Sequence, residues 1–240
     1  MSAAPKSAMV LAAGLGTRMR PLSDTQPKPM VEIAGRTLLD HAIDRLERVG
    51  VERVVVNVHY RADQIVDHLA ARKRPQIIFS REESLLDTGG GVARALPWLD
   101  DAFFVVNGDV MWLDGAALAL ARLAAAFDPD RMDAVLLFQR TADAVGYDGD
   151  GDFFLDPLGT PRRRREREIA PYIFAGIRIL HRRLFDGVTD TVFSANRLFD
   201  KALAAGRLFA IVHDGEWYHV STPGGLALTR ERLAARRIER

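Results

Sequence analysis

Between residues 8 and 138 the chain alternates runs rich in Val, Ile and Phe with stretches of helical periodicity. This alternation limits the fold more than any other feature. Residues 8–12, 53–58, 76–79, 103–106 and 134–138 read as strands. Between the first two, Leu38, Leu39, Ala42, Ile43, Leu46 and Val49 recur at helical spacing. Thr37 with Asp40 three residues on forms a capping box ahead of them, and Gly50 closes the end. Residues 61–72, 91–96 and 115–127 supply further helical segments. Strand–helix–strand repetition implies right-handed crossovers and a mainly parallel sheet. The expected fold class is α/β: a Rossmann-like sheet flanked by helices.

After residue 140 the pattern changes. Residues 146–167 carry Gly, Asp, Pro and an arginine run and read as a long loop or hairpin. Residues 172–180 alternate into a strand, and Ser194 caps a helix bearing Leu198, Phe199, Ala202 and Leu203, ended by Gly206. Residues 208–212 and 217–220 read as late strands and 223–237 as a terminal helix. The expectation is one domain over residues 1–240, with a small β-rich second half (141–240) decorating the sheet of the first (1–140).

Composition removes several classes of function. A chain of 240 residues buries a sizeable core. Its 33 basic and 32 acidic side chains leave a net charge of +1, so no global field recommends nucleic acid as a partner. The absence of cysteine excludes disulfides, thiolate-bound metals and a thiol nucleophile. No apolar stretch approaches the roughly 18 residues of a membrane helix, and Met1 to Ser7 lacks the layout of a signal peptide. The expected location is the cytoplasm, without a membrane partner.

The first strand runs into Gly14-Leu-Gly16-Thr17-Arg18-Met-Arg20-Pro21. A glycine-rich turn after a buried strand lets backbone N–H groups approach an anion closely. A dinucleotide fingerprint wants a third glycine where Met19 stands and an acid where Val58 and His59 stand, and a Walker A loop wants Gly-Lys-Ser/Thr; neither is present. Arg18 and Arg20 beside two glycines instead favour a phosphate cradle. Lys28, one of four lysines against 29 arginines, sits between Pro27 and Pro29. The prolines hold it extended and out of any regular helix, a stiff mount for a charge that meets a phosphate; an ordinary surface turn is the plain alternative. Asp109, in Asn107-Gly108-Asp109, falls at the carboxyl end of a central strand, where open α/β sheets bind ligands. There a carboxylate suits Mg²⁺, though a strand-to-loop Asp is common. Thr88-Gly89-Gly90-Gly91, read as lying between strand and helix, offers a second backbone-lined surface for a base or ribose.

Taken together, these motifs resemble the sugar-1-phosphate nucleotidyltransferases. Their opening signature, Leu-Ala-Ala-Gly-x-Gly-Thr-Arg-Met-x-Pro-Leu followed by Pro-Lys-Pro, is matched at Leu11 through Gly14, Gly16 through Met19, Pro21, Leu22 and Pro27 through Pro29. The chain's compactness, Asp87-Thr-Gly-Gly-Gly91 and Val106-Asn-Gly-Asp109 look most like the branch that uridylylates N-acetylmuramate 1-phosphate, with mannose- or heptose-1-phosphate guanylyltransferases as the alternative. The resemblance implies attack of a sugar 1-phosphate on the α-phosphorus of a nucleoside triphosphate, with Mg²⁺ or Mn²⁺ as cofactor. It makes residues 1–140 the nucleotide-binding half and 141–240 the sugar-phosphate-binding half. Ala12, Ala13, Gly14, Gly16, Thr17, Arg18, Glu82, Thr88, Gly89 and Asn107 would bind nucleotide, with Glu83 competing with Glu82 for the base. Arg18, Lys28 and Asp109 would be catalytic, Asp109 also holding the metal. Asn107, Gly151, Asp152, Gly176, Asn196 and His219 would meet the sugar phosphate.

The family's closing Trp-x-Asp-x-Gly-Thr segment is here Trp217-Tyr218-His219-Val220-Ser221-Thr222, so His219 replaces a metal-binding acid. Imidazole is a poor partner for Mg²⁺. Either His219 donates to a phosphate while Asp109 holds magnesium, or the site takes manganese, or catalysis is impaired or a different substrate is used; a non-catalytic nucleotide-sugar-binding regulatory protein is the alternative of another class. Arg162, Arg163, Arg164, Arg165 and Arg167 read as a solvated run; the sharper alternative sets one of them against the carboxylate of a muramate.

Overall fold

A computed structural model describes residues 4–238, so residues 1–3 of the segment read for a signal peptide lie outside the described residues. The strands are β1 (Ser7–Leu11), β2 (Glu32–Ile33), β3 (Arg36–Thr37), β4 (Arg53–Val58), β5 (Gln76–Arg81), β6 (Ala102–Asn107) and β7 (Met111–Leu113). They continue with β8 (Ala134–Arg140), β9 (Ala144–Val145), β10 (Phe153–Leu155), β11 (Pro161–Arg163), β12 (Tyr172–His181), β13 (Leu208–Val212) and β14 (Glu216–Tyr218). The helices are α1 (Leu38–Arg48), α2 (Ala62–Leu69), α3 (Asp87–Ala95), α4 (Ala119–Ala126), α5 (Asn196–Ala204) and α6 (Pro223–Ile238).

The main sheet runs β5-β4-β1-β6-β12-β8-β13, with β10 and β11 attached beside the start of β12. β1 is parallel to β4 and β6, β4 to β5, and β13 to β8. β12 runs antiparallel to both of its neighbours, β6 and β8, so it alone opposes the common direction of these seven strands. The expected mostly parallel, Rossmann-like sheet is therefore present, but the second half does more than decorate it. Residues after 141 supply β12 to its middle and β13 to its edge, and a separate sheet, β7-β14-β9, stands beside it.

Period-two alternation explains why helices cover both faces. Ala8, Val10, Val54, Val56, Phe104 and Val106 pack with Leu39, Ile43, Ile65 and Leu120 of α1, α2 and α4. Met9, Val55, Phe103 and Val105 point the other way, onto Val92 of α3 and Leu198 and Phe199 of α5. A third cluster, containing Met19, Val31, Ile33, Tyr218 and Leu226, lies beneath the loop after β1 and seats α6 against it.

Several boundaries move for local reasons. Thr37 Oγ1 accepts from the Asp40 N–H at 3.0 Å, so α1 begins at its expected cap. α4 starts only at Ala119, whose N–H is held by Asp114 Oδ1 at 2.9 Å. α3 begins at Asp87, so Thr88–Gly91 forms its first turn rather than a loop.

Candidate active site

Register sets the site at the carboxyl ends of three adjacent parallel strands. Leu11, the last residue of β1, lies opposite Asn57 on one side and Asn107 on the other. Asn57 interrupts the valine run of β4, and both polar atoms of its amide are engaged. Its Oδ1 accepts from the Ala12 N–H at 2.7 Å, and its Nδ2 donates to Glu82 Oε1 at 2.7 Å. Glu82 Oε2 accepts from the Leu86 N–H at 3.1 Å. This buried network ties the start of the glycine-rich loop to the segment entering α3.

Beyond Ala12 the loop turns at Gly16, whose φ of 63° suits glycine, and a Cβ there would come 3.0 Å from the Lys28 Cβ. Thr17–Met19 then forms a single 3-10 turn that presents Arg18. Lys28 departs from expectation: Pro27 is the extended residue, and Lys28 opens a 3-10 turn, Lys28–Met30. Pro29 fits because the start of a turn leaves its missing N–H unneeded. The stiff mount survives. The Lys28 side chain is only 9% exposed, and its Nζ lies 2.7 Å from Asp109 Oδ2. Asp109 follows β6 after Gly108, whose N–H donates to the Leu11 carbonyl at 2.8 Å and draws the two strand ends together.

Two cavities meet at this ion pair. The first, of about 540 Å³, is lined by Ala12, Ala13, Gly14, Gly16, Thr17, Arg18, Glu82, Thr88 and Asn107 among the residues expected to bind nucleotide. The second, of about 400 Å³, takes Asn107, Asp152, Gly176 and His219 from the expected sugar set. Arg18, Lys28, Asn107, Asp109 and Ser221 line both.

Gly89, Gly151 and Asn196 line neither cavity. The glycine run packs on protein: a Cβ on Gly89 would strike the Phe193 ring, one on Gly90 the Thr191 carbonyl, and one on Gly91 the Asn57–Glu82 pair at 2.9 Å. Gly151 donates its N–H to the Tyr147 hydroxyl at 3.0 Å and packs on Ala170. Asn196 opens α5, where its Oδ1 accepts from Arg163 at 3.3 Å. Of the competing glutamates, Glu82 lines the first cavity and Glu83 is exposed. Motif reading missed Asn57, Leu85, Asp87 and Val192 in the first cavity and Tyr147, Trp217, Tyr218 and Ser221 in the second. A lone Asn within a valine strand was the signal available for Asn57.

Both ring nitrogens of His219 are engaged within the protein. Nδ1 lies 3.3 Å from the Gly146 carbonyl, and Nε2 lies 2.9 Å from Ser221 Oγ. A carbonyl only accepts, so the proton sits on Nδ1 and Nε2 accepts from the serine hydroxyl. Burial and the charges of Lys28 and Arg18 hold the imidazole below the usual histidine range, against the pull of the Gly146 bond. The ring stacks on Trp217 at 5.7 Å and meets Tyr147 edge-on at 5.6 Å. In this arrangement both ring nitrogens of His219 are taken up within the protein, one of them by Ser221.

The arginine run is folded into the β10–β11 hairpin and its surroundings. Arg162 stacks over Phe154 and pairs with Glu168 at 2.7 Å; Arg163 pairs with Asp200; Arg164 donates to the carbonyls of Gly151 and Glu168. None of Arg162, Arg163, Arg164, Arg165 and Arg167 lines the second cavity.

Among the described residues no three His, Cys, Asp or Glu side chains gather around a metal position. Among the described residues Asp109 is the one carboxylate lining both cavities. A single carboxylate is the protein's share of a magnesium site completed by substrate phosphates and water, so the residues fit a shared ion rather than a protein cage.

Residues 8–221 match the family model described as the MobA-like NTP transferase domain. The chain is 43% identical to an N-acetylmuramate alpha-1-phosphate uridylyltransferase of Caulobacter vibrioides, over 98% of this chain and 99% of that one. It is 34% identical to a protein of the same name from Neisseria meningitidis, over 90% and 93% of the two chains. Among solved structures, HddC from Yersinia pseudotuberculosis in complex with GMP-PN superposes with a TM-score of 0.76 at 25% identity, covering 95% of this chain and 99% of that one. The chain therefore belongs to the MobA-like NTP transferase family and, within it, to the sugar-1-phosphate nucleotidyltransferases.

Proposed function

We propose that the protein transfers uridylate from UTP to N-acetylmuramate 1-phosphate, releasing pyrophosphate, in the recycling of cell-wall sugars. The observation that carries the reading is the meeting of two cavities at Lys28 and Asp109, together with the 43% identity to the Caulobacter uridylyltransferase. The first cavity takes the nucleoside triphosphate and the second the sugar phosphate. The N–H groups of residues 13–17 and the Arg18 guanidinium face the triphosphate. Lys28 neutralises charge where the two phosphates approach. A phosphate monoester, with a second pKa of about 6, is already largely a dianion at neutral pH. The attack therefore needs alignment and charge neutralisation rather than a general base. Asp109 would hold Mg²⁺, or Mn²⁺, which supplies charge neutralisation between the phosphates. The Trp217, His219 and Tyr147 rings give the acceptor an aromatic wall. Among the described residues no helix is long and apolar enough to cross a membrane; the cytoplasm, where nucleoside triphosphates are made, is the proposed location.

UTP labelled at the α-phosphorus tests this directly. The label is expected in a uridine diphosphate sugar, with unlabelled pyrophosphate released; label left in UTP while the protein still binds it means a nucleotide-sugar sensor. The likeness to a structure solved with a guanine nucleotide supports a second reading, transfer from GTP to mannose or heptose 1-phosphate. Label entering only a guanosine diphosphate sugar, when GTP is offered instead, selects it.

A further inference from the structure

Arg178 is a buried cation that pairs with no acid among the described residues. It stands on β12 just past a bulge and is 1% exposed, with the Phe174 and Phe199 rings 5.4 and 5.8 Å from its guanidinium carbon. Nη1 donates to Asn107 Oδ1 at 2.9 Å, and Nε has no hydrogen-bond partner among the described residues. Burial alone draws the guanidinium down to about 9, so it remains a cation at neutral pH. A charge held this way costs stability that an apolar side chain of the same length would not. Its consequence is at Asn107.

A guanidinium only donates, so the Asn107 amide must turn its oxygen toward Arg178 and its nitrogen away. The nitrogen lies beside Gly176, where a Cβ would come within 3.1 Å of Nδ2. Gly176 lines the second cavity and not the first. We propose that Arg178 is a positioning residue for the acceptor: it fixes Asn107 as a hydrogen-bond donor, through Nδ2, to an oxygen of the sugar phosphate. This rests on the second cavity being the sugar-phosphate site. Neither Met nor Leu at position 178 would orient the amide, and an acid there would invert it.

Calorimetric titration of N-acetylmuramate 1-phosphate into wild type, Arg178→Met, Arg178→Lys and Asn107→Asp, with a Tm for each, reads the proposal. Arg178→Met is expected to bind about tenfold more weakly, the effect of one lost hydrogen bond to a charged group, with Tm equal to or above wild type. Arg178→Lys keeps a donor and recovers most of the affinity. Asn107→Asp still accepts from Arg178, so its Tm holds, but it offers the ligand no donor and sets a carboxylate against the phosphate, so it binds at least as weakly as Arg178→Met. Wild-type affinity in Arg178→Met, or losses that simply follow Tm across the variants, overturn the assignment. The Asn107 side-chain amide signal in ¹⁵N spectra, identified by its loss in Asn107→Asp, separates the two levels of the argument. It should leave the free-amide position in wild type and return to it in Arg178→Met. If it does not move, the positioning role falls whatever the substrate. If it moves while wild type binds no sugar phosphate, the functional reading falls instead.

Discussion

Lys28 Nζ lies 2.7 Å from Asp109 Oδ2 across 81 residues of sequence. One partner is mounted on a proline-flanked turn, and the other lies two residues past the end of β6. The lysine is buried and the carboxylate partly open, so the pair holds a cation and an anion at the boundary of the two cavities. Incoming phosphates compete for the lysine, and a metal competes for the carboxylate.

Replacing Lys28 by Met removes a fixed charge from the point where negative charge collects. The expected fall in kcat is roughly 10²–10³-fold, the range found for lost transition-state donors. Tm should stay near wild type, because Asp109 remains partly solvated. Turnover within threefold of wild type, measured by pyrophosphate release, would contradict this role.

Asn57→Ala strips a partner from both the Ala12 N–H and the buried Glu82 carboxylate. The expected cost is about 2–3 kcal/mol, or roughly 5–10 °C in Tm for a chain of this size. Asn57→Asp is expected to be as harmful, since it sets two carboxylates together. A Tm within a degree or two of wild type for Asn57→Ala would show that the network holds nothing.

Much of this was legible beforehand. The unbroken run Val54, Val55 and Val56 marks a strand buried on both faces, and the Gly14–Arg18 loop, Lys28 and Asp109 were recognisable because backbone conformation and charge are local properties. The glycine run at 89–91 was not. Its use is close packing against Phe193, Thr191 and the Asn57–Glu82 pair, contacts that depend on chain more than a hundred residues away or on another strand. Gly151 and Asn196 missed the cavities for the same reason, being taken up by Tyr147 and Arg163. Arg178 was hidden in a strand whose apolar pattern gave no hint of what a buried guanidinium would face.

Acidification is expected to weaken the fold before the carboxylates titrate. Burial holds His41, His181, His213 and His219 below the usual histidine range. Below about pH 6.5 the unfolded chain takes up protons that the native state resists, so stability present at neutral pH is lost as pH falls through the folded values. The urea midpoint should hold from about pH 8 to 7 and decline toward pH 5. His213→Gln, which keeps a donor for the Leu113 carbonyl, should flatten part of that decline. A midpoint that rises on acidification would reverse the sign of the argument.

Neutralising Arg162 and Arg165 together, as Gln, is expected to leave the KM for the sugar phosphate within about twofold. The Arg162–Glu168 pair is of the exposed kind that contributes about 0–1 kcal/mol, and neither arginine reaches the second cavity. A tenfold rise in KM, with the nucleotide KM unchanged, would return an arginine to the acceptor site.

The central claim is tested most directly by pyrophosphate release with Mg²⁺ across the four nucleoside triphosphates and N-acetylmuramate, N-acetylglucosamine, glucose and mannose 1-phosphates. The account predicts that kcat/KM is highest, by at least about a hundredfold, for UTP with N-acetylmuramate 1-phosphate. A maximum at GTP with mannose 1-phosphate would contradict the substrate assignment, and no release with any pair, manganese included, would contradict the enzyme itself.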